Sequence, residues 1–284
     1  MDALRVENLC KRYPGGFAIE NVSFSLAEGS IMGLIGANGA GKTTTLKALM
    51  GYLRPDAGTV TLFGRPFPPE NTALRQCIGF VSGGVDYFPR KRLSAVTAAT
   101  RPFYADWDEV AYQNCLHTFE LDEHKRTSEL SAGMKVKYQL ALALSHRARL
   151  LILDEPTSGL DPVSRDELLE LFLTLAEEQG VSILFSTHIT SDLEKCARTI
   201  TYLQKGRVLC SEEQSALLER WRLVRGTPEQ LAGVELSGLT GLRRHAETVE
   251  GLCPAARAAR FPAETVKPAS LEDIIVHLER EARA

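Results

Sequence analysis

Apolar residues along this chain fall into two alternating patterns. Ile31 to Ile35, Leu150 to Leu153 and Val181 to Phe185 are short, nearly continuous apolar runs of the length of strands buried on both faces. Leu46, Leu49 and Met50, and later Leu168, Leu169, Phe172, Leu173 and Ala176, recur instead at the spacing of one helix face. Strands alternating with amphipathic helices predict an α/β fold, a mostly parallel central sheet with crossover helices on its faces. Between about residues 89 and 146 the pattern turns helical and aromatic-rich, with Phe103, Tyr104, Trp107, Tyr112 and Phe119, which predicts a helical insertion. Beyond Cys210 the alternation fades. Pro228 to Leu231 and Ser270 to Leu278 read as helical there, the second opened by a capping pattern of Ser270 and Asp273 before Ile274, Ile275 and Leu278. The expected organisation is one domain over 1–215 and a small accessory domain over 216–284.

Composition narrows the classes. The chain has 284 residues, 44% hydrophobic and 24% charged, enough for a sizeable core in a soluble protein. A formal charge of −3 provides no general attraction to nucleic acid, and Arg90-Lys91-Arg92 reads as a solvated patch, so no nucleic-acid partner is expected. The six cysteines, Cys10, Cys77, Cys115, Cys196, Cys210 and Cys253, lack any C-x-x-C or metal spacing and suit reduced thiols in a cytosol. No apolar stretch approaches the roughly 20 residues that span a bilayer, and the N-terminus is charged where a signal peptide would be apolar. No direct membrane insertion is expected.

The chemistry concentrates at Gly36-Ala37-Asn38-Gly39-Ala40-Gly41-Lys42-Thr43, which fits the Gly-x-x-x-x-Gly-Lys-[Ser/Thr] phosphate loop. A turn that aims several backbone N–H groups into one concavity needs glycines, and the helix behind it adds free N–H groups and a positive dipole end. Lys42 would reach the β and γ phosphates of ATP, Thr43 would ligate Mg2+, and Thr44 would help hold the α phosphate. An ordinary glycine-rich turn would share the letters but not both flanks. A second run, Leu150 to Leu153, ends in Asp154-Glu155, carboxylates at the sheet edge where open α/β folds bind ligands. Asp154 is placed to hold Mg2+, and Glu155 to orient or deprotonate an attacking water; a turn start before Pro156 is the plainer account.

Further motifs stand in register with these. Leu130-Ser131-Ala132-Gly133-Met134 precedes Asp154, Ser158-Gly159-Leu160-Asp161 follows it, and His188 ends the next strand. Over residues 1–215 the chain resembles the ATP-binding subunit of an ATP-binding-cassette (ABC) transporter. Phe185-Ser186-Thr187-His188-Ile189-Thr190-Ser191-Asp192-Leu193, with the Leu-Ser-x-Gly-Met form, is most similar to the bacterial exporter-like branch that includes antibiotic-resistance and cell-envelope-stress transporters. The resemblance implies a P-loop NTPase with an N-terminal antiparallel β portion. It implies a head-to-tail pair with a second ATP-binding subunit, identical or not, in which Ser131, Ala132 and Gly133 meet ATP held by the partner. His188 would contact the γ phosphate, Tyr13 would stack on adenine, and Asp161 would cross the interface. Helix capping satisfies the letters at Ser131 equally well and explains Asp161 almost as well. Separately encoded transmembrane permease subunits would carry the substrate, with this subunit cytoplasmic and peripheral on the inner face of the membrane. Tyr87, Phe88, Phe103, Tyr104 and Trp107 lie where the family docks the permease coupling helix, and serve equally as core of the helical insertion.

Three positions depart from the pattern. Ser82-Gly83-Gly84 stands where the family has a glutamine after the strand Ile78 to Val81, while Ala132 and Met134 replace a common glycine and glutamine. Lys42, Asp154, Glu155 and His188 remain, so an active ATPase is expected. The alternatives are a catalytically weakened regulatory subunit of an asymmetric pair, or a soluble non-transport ABC ATPase.

Overall fold

A computed structural model describes residues 1–68, 70–83 and 88–282. Its six-stranded sheet runs in the order Arg207–Glu213, Thr199–Gln204, Ile31–Ile35, Ser182–Thr187, Leu150–Asp154, Ile78–Ser82. The pairings of Ile31–Ile35 with both neighbours, and of Leu150–Asp154 with both of its own, are parallel. The three apolar runs are therefore central strands. Leu150, Leu151, Ile152 and Leu153 are all fully buried, each such side chain contributing roughly 1.5–3 kcal/mol of burial. Lys205 and Gly206, both at positive φ, make the tight turn between the last two strands of this sheet in chain order.

A second, antiparallel sheet has the order Ala18–Ala27, Asp2–Arg12, Ala57–Leu62, Arg65–Pro66. The helix Lys42–Leu49 buries Leu46 and Leu49, as its spacing requires. The helix Pro162–Glu177 buries Leu168, Leu169, Phe172, Leu175 and Ala176, with Leu175 inside where the sequence pointed to Leu173. The insertion carries the helices Leu93–Thr100, Glu109–Thr118 and Ala132–Ser145. Thr97 joins the first to the other two, its hydroxyl lying 2.8 Å from those of both Tyr112 and Tyr138.

Contacts divide the chain into one compact unit of Met1–His188 with Lys195–Ser211 and a second of Ile189–Glu194 with the chain from Glu212 onward. The second unit has its own antiparallel sheet, ordered Thr240–Arg244, Val249–Pro254, Trp221–Gly226, Val266–Pro268, which the sequence did not signal. The helix Leu271–Glu281 follows, opened by the predicted capping box of Ser270 and Asp273. It docks through His277 Nδ1, which donates to Gly241 O at 2.8 Å, while Gly241 N donates to Glu281 Oε2 at 2.6 Å. A Cβ on Gly241 would stand 2.1 Å from the His277 carbonyl, so glycine lets the helix approach. Pro228 to Leu231 is a turn rather than a helix. Thr227 and Gln230 exchange side-chain hydrogen bonds around it, and Gly233 at φ 79° prevents its extension.

Candidate active site

The glycines of the phosphate loop are demanded by geometry at two points. A Cβ on Gly36 would lie 2.2 Å from Leu203 O, and Gly41 sits at φ 110° against the Ile19 side chain. Gly39 is also left-handed, at φ 81°, but faces open space, while Asn38 is exposed and Ala40 buried. Ala40 N bonds Ala37 O at 3.0 Å and Ala40 O receives Gly206 N at 2.9 Å, so the loop is braced on both sides. Its arc ends at the first turn of the helix Lys42–Leu49, where Thr44 is half-buried, Thr43 is exposed and no acidic residue opposes an anion.

Lys42 is 6% exposed and donates from Nζ to Gly36 O at 2.7 Å. Glu155 Oε1 lies 3.7 Å from the same ammonium, and its other oxygen, Oε2, is 2.8 Å from His188 Nδ1. One carboxylate thus spans the lysine of the loop and the histidine of the next strand end. Thr43 Oγ1 donates to Asp154 Oδ2 at 3.3 Å, and Ser186 Oγ donates to Asp154 Oδ1 at 2.6 Å. Both oxygens of Asp154 are oriented, and the Thr43–Asp154 pair offers only oxygen donors, which suits a small hard dication such as Mg2+. Ser186 carried no role in the sequence reading. It is one of three hydroxyl residues in the strand Ser182–Thr187, and its partner lies in the neighbouring strand.

Glu155 adopts φ 52°, a left-handed conformation that costs a residue other than glycine about 1–3 kcal/mol. Its N–H is held by Ser186 O at 3.0 Å. Its carbonyl faces Gly83 so closely that a Cβ there would stand 1.9 Å from that oxygen. The missing glutamine is thereby given a physical basis: in this backbone no side chain fits at 83. Gly84, and the aromatic Tyr87 further on, lie outside the described residues. Gly83→Gln is expected to lower stability by about 1–3 kcal/mol in thermal melts, and to reduce ATP turnover rather than raise it. An unchanged melt with faster turnover would show that a side chain is accommodated.

The remaining predicted residues form other groups. Ser131 caps the helix Ala132–Ser145, its Oγ accepting from Met134 N at 3.2 Å, with Ala132 exposed and Gly133 half-buried beside it. Gly133 packs against Ser164, whose N–H, like that of Val163, bonds Asp161 Oδ1 at 3.1 Å. Hydrogen bonds from Ser164, side chain first and then backbone, hold the Asp161 carboxyl below its ordinary range. Both residues are caps, and Ser164 stands beside both Gly133 and Asp161. Tyr13 lies in an exposed turn with its ring 6.1 Å from Phe17, and a Cβ on Gly41 would stand 3.5 Å from the Phe17 ring.

The aromatics of the insertion divide. Tyr112 and Phe119 are core, and Trp107 leans on Tyr112 with ring centroids 5.5 Å apart. Phe88 and Phe103 are 65% and 77% exposed at a groove of about 590 Å³ that Tyr52, Phe80, Tyr104 and His146 also line. Tyr104 stacks on His146 at 3.8 Å, and burial pushes the His146 imidazole below its usual range.

Strand, glycine cradle, buried lysine and paired carboxylates at the sheet edge define a phosphate-loop nucleotide-binding domain. The family model described as ABC transporter matches residues 19–158. The chain is 35% identical over 223 residues to the Nod factor export ATP-binding protein I of Burkholderia orbicola (strain AU 1054), across 75% of this chain and 71% of that one. It is 29% identical over 208 residues to a bacitracin transport ATP-binding protein of Bacillus licheniformis, across 72% of this chain and 68% of that one. A solved ATP binding subunit of an ABC transporter superposes with a TM-score of 0.67 at 27% identity, covering 76% of this chain and 91% of that one. The chain belongs to the ABC transporter family, as an ATP-binding ATPase subunit related to exporter ATPases. Among the described residues no helix is long and apolar enough to cross a membrane.

Proposed function

We propose that this subunit binds Mg2+-ATP on residues 36–44, hydrolyses it in a pair of like domains, and drives separate permease subunits on the inner face of the membrane, in the direction of export. The observation that carries the reading is the convergence of Lys42 and His188 on the Glu155 carboxylate, beside Thr43 and Asp154. Lys42 neutralises β and γ phosphate charge. Glu155 orients the attacking water and takes its proton, and His188 holds the Glu155 carboxylate and faces the γ phosphate. Thr43 and Asp154 would hold Mg2+, which when bound supplies neutralisation of phosphate charge. Tyr13 and Phe17 offer the face for adenine. Ser131, Ala132, Gly133 and Asp161 form the surface presented to the partner's ATP. The domain that does this extends over 1–215, and 216–284 is an accessory domain.

The apolar groove bearing Phe88 and Phe103 supports docking of a permease helix, since exposed aromatics at the rim of a preformed slot are the anchors such a helix buries. Specific ATPase activity of the pure chain should rise with protein concentration over about a hundredfold range, because pairing is a mass-action step, and should stop when EDTA removes Mg2+. Activity independent of dilution would overturn the paired site.

A further inference from the structure

Ile78–Ser82 is the outermost strand of the six-stranded sheet and, among the described residues, has a ladder partner on one flank only. In a parallel ladder, alternate residues turn their amide and carbonyl towards the neighbour. Gly83 gives its N–H to Asp154 O at 2.8 Å, so Ser82, in register with Asp154, turns its own groups to the open edge. There one side chain meets both. Ser82 N donates to Gln139 Oε1 at 3.0 Å, and Gln139 Nε2 donates to Ser82 O at 3.3 Å and to Lys135 O at 3.4 Å. Gln139 sits on the helix that Ser131 caps, and the next residue along the strand edge, Gly83, bears directly on the Glu155 carbonyl.

We propose that Gln139 is a positioning residue of the ATPase site. Its amide clamps the Ser82–Gly83 backbone on which the Glu155 main chain rests, and so sets where the Glu155 carboxylate stands relative to Lys42 and His188. The polar tie that residue 83 cannot carry comes from the opposite direction, out of the helix that bears Ser131 and Gly133. This inference rests on Glu155 being the water-orienting carboxylate. A displacement of reacting groups by an ångström costs up to about a hundredfold in rate, so loosening this support acts on kcat.

The test uses the full chain with Mg2+-ATP and no permease, so that the groove is not a variable. Gln139→Leu removes both hydrogen bonds. Gln139→Glu keeps the acceptor for Ser82 N–H but, when ionised, turns a second oxygen towards Ser82 O; once protonated it donates as the amide does. Gln139→Leu should lose about tenfold in kcat with KM for ATP within about twofold of wild type, at every pH. Gln139→Glu should match that loss at about pH 8 and regain activity relative to wild type towards about pH 6, as its carboxyl takes up a proton in a site that disfavours the charge. A merely structural role has no such recovery. A kcat for Gln139→Glu within about twofold of wild type throughout, or a deficit that does not change with pH, would overturn the proposal even if Gln139→Leu failed to fold. Glu155→Gln is assayed beside them. If it is inactive while the Gln139 variants are normal, only this inference falls; if it turns over at the wild-type rate, the assignment of Glu155 falls first.

Discussion

Glu155→Gln should lower kcat by about 10²–10³-fold, some 3–4 kcal/mol of barrier, while leaving ATP affinity within a few-fold of wild type. The amide keeps the size and shape of the carboxylate, so it still accepts from His188 across the 2.8 Å contact. What it loses is the charge 3.7 Å from Lys42 and the capacity to take a proton from water. Lys42 itself keeps its bond to Gly36 O at 2.7 Å, so the phosphate-binding donor is not released. Binding energy without turnover predicts a second effect: ATP should hold the variant as a dimer that wild type forms only briefly. Size-exclusion chromatography with ATP, beside a steady-state phosphate-release assay, measures both. Steady-state turnover at the wild-type rate would remove Glu155 from the chemistry.

What could be read from the chain follows a physical division. The phosphate loop was legible because its demands are local: Gly36 and Gly41 are fixed by backbone approach and a positive φ within a few residues of Lys42. Asp154 and Glu155 were legible because an unbroken buried run must end somewhere, and charge at its end marks the sheet edge. Ser186 and Gln139 were not. Their partners are 32 and 57 residues away in sequence, and neither a hydroxyl in a strand nor an amide on a helix signals what lies opposite once the sheet is assembled. The absence of a side chain at 83 was visible as a departure, but its cause, the Glu155 carbonyl, exists only in three dimensions. The accessory sheet was missed because its strands are short and carry Gly226, Gly241 and Gly251, which break the alternation that marks a half-buried strand. The capping box at Ser270 was read correctly since both of its partners lie within one turn.

Lys42→Ala should abolish measurable ATPase activity, by at least about a hundredfold, and unlike Glu155→Gln it should weaken ATP binding as well. Lys42 is the buried cation of the cradle: its side chain is 7% exposed, and its ammonium stands between Gly36 O and the Glu155 carboxylate. Removal takes away the charge that offsets the phosphates and leaves Glu155 with no cation facing the incoming anion, so two unfavourable terms add at one place. Arginine should not rescue it. A planar guanidinium needs more room than an ammonium that already closes on Gly36 O at 2.7 Å, and its fork cannot reproduce a point charge there. Titration with a fluorescent ATP analogue separates the two variants: Lys42→Ala loses the nucleotide and with it the ATP-dependent dimer, whereas Glu155→Gln keeps both. If Lys42→Ala bound ATP as wild type does and assembled the dimer on it, the glycine cradle and helix dipole alone would suffice for capture, and the lysine would act in turnover only.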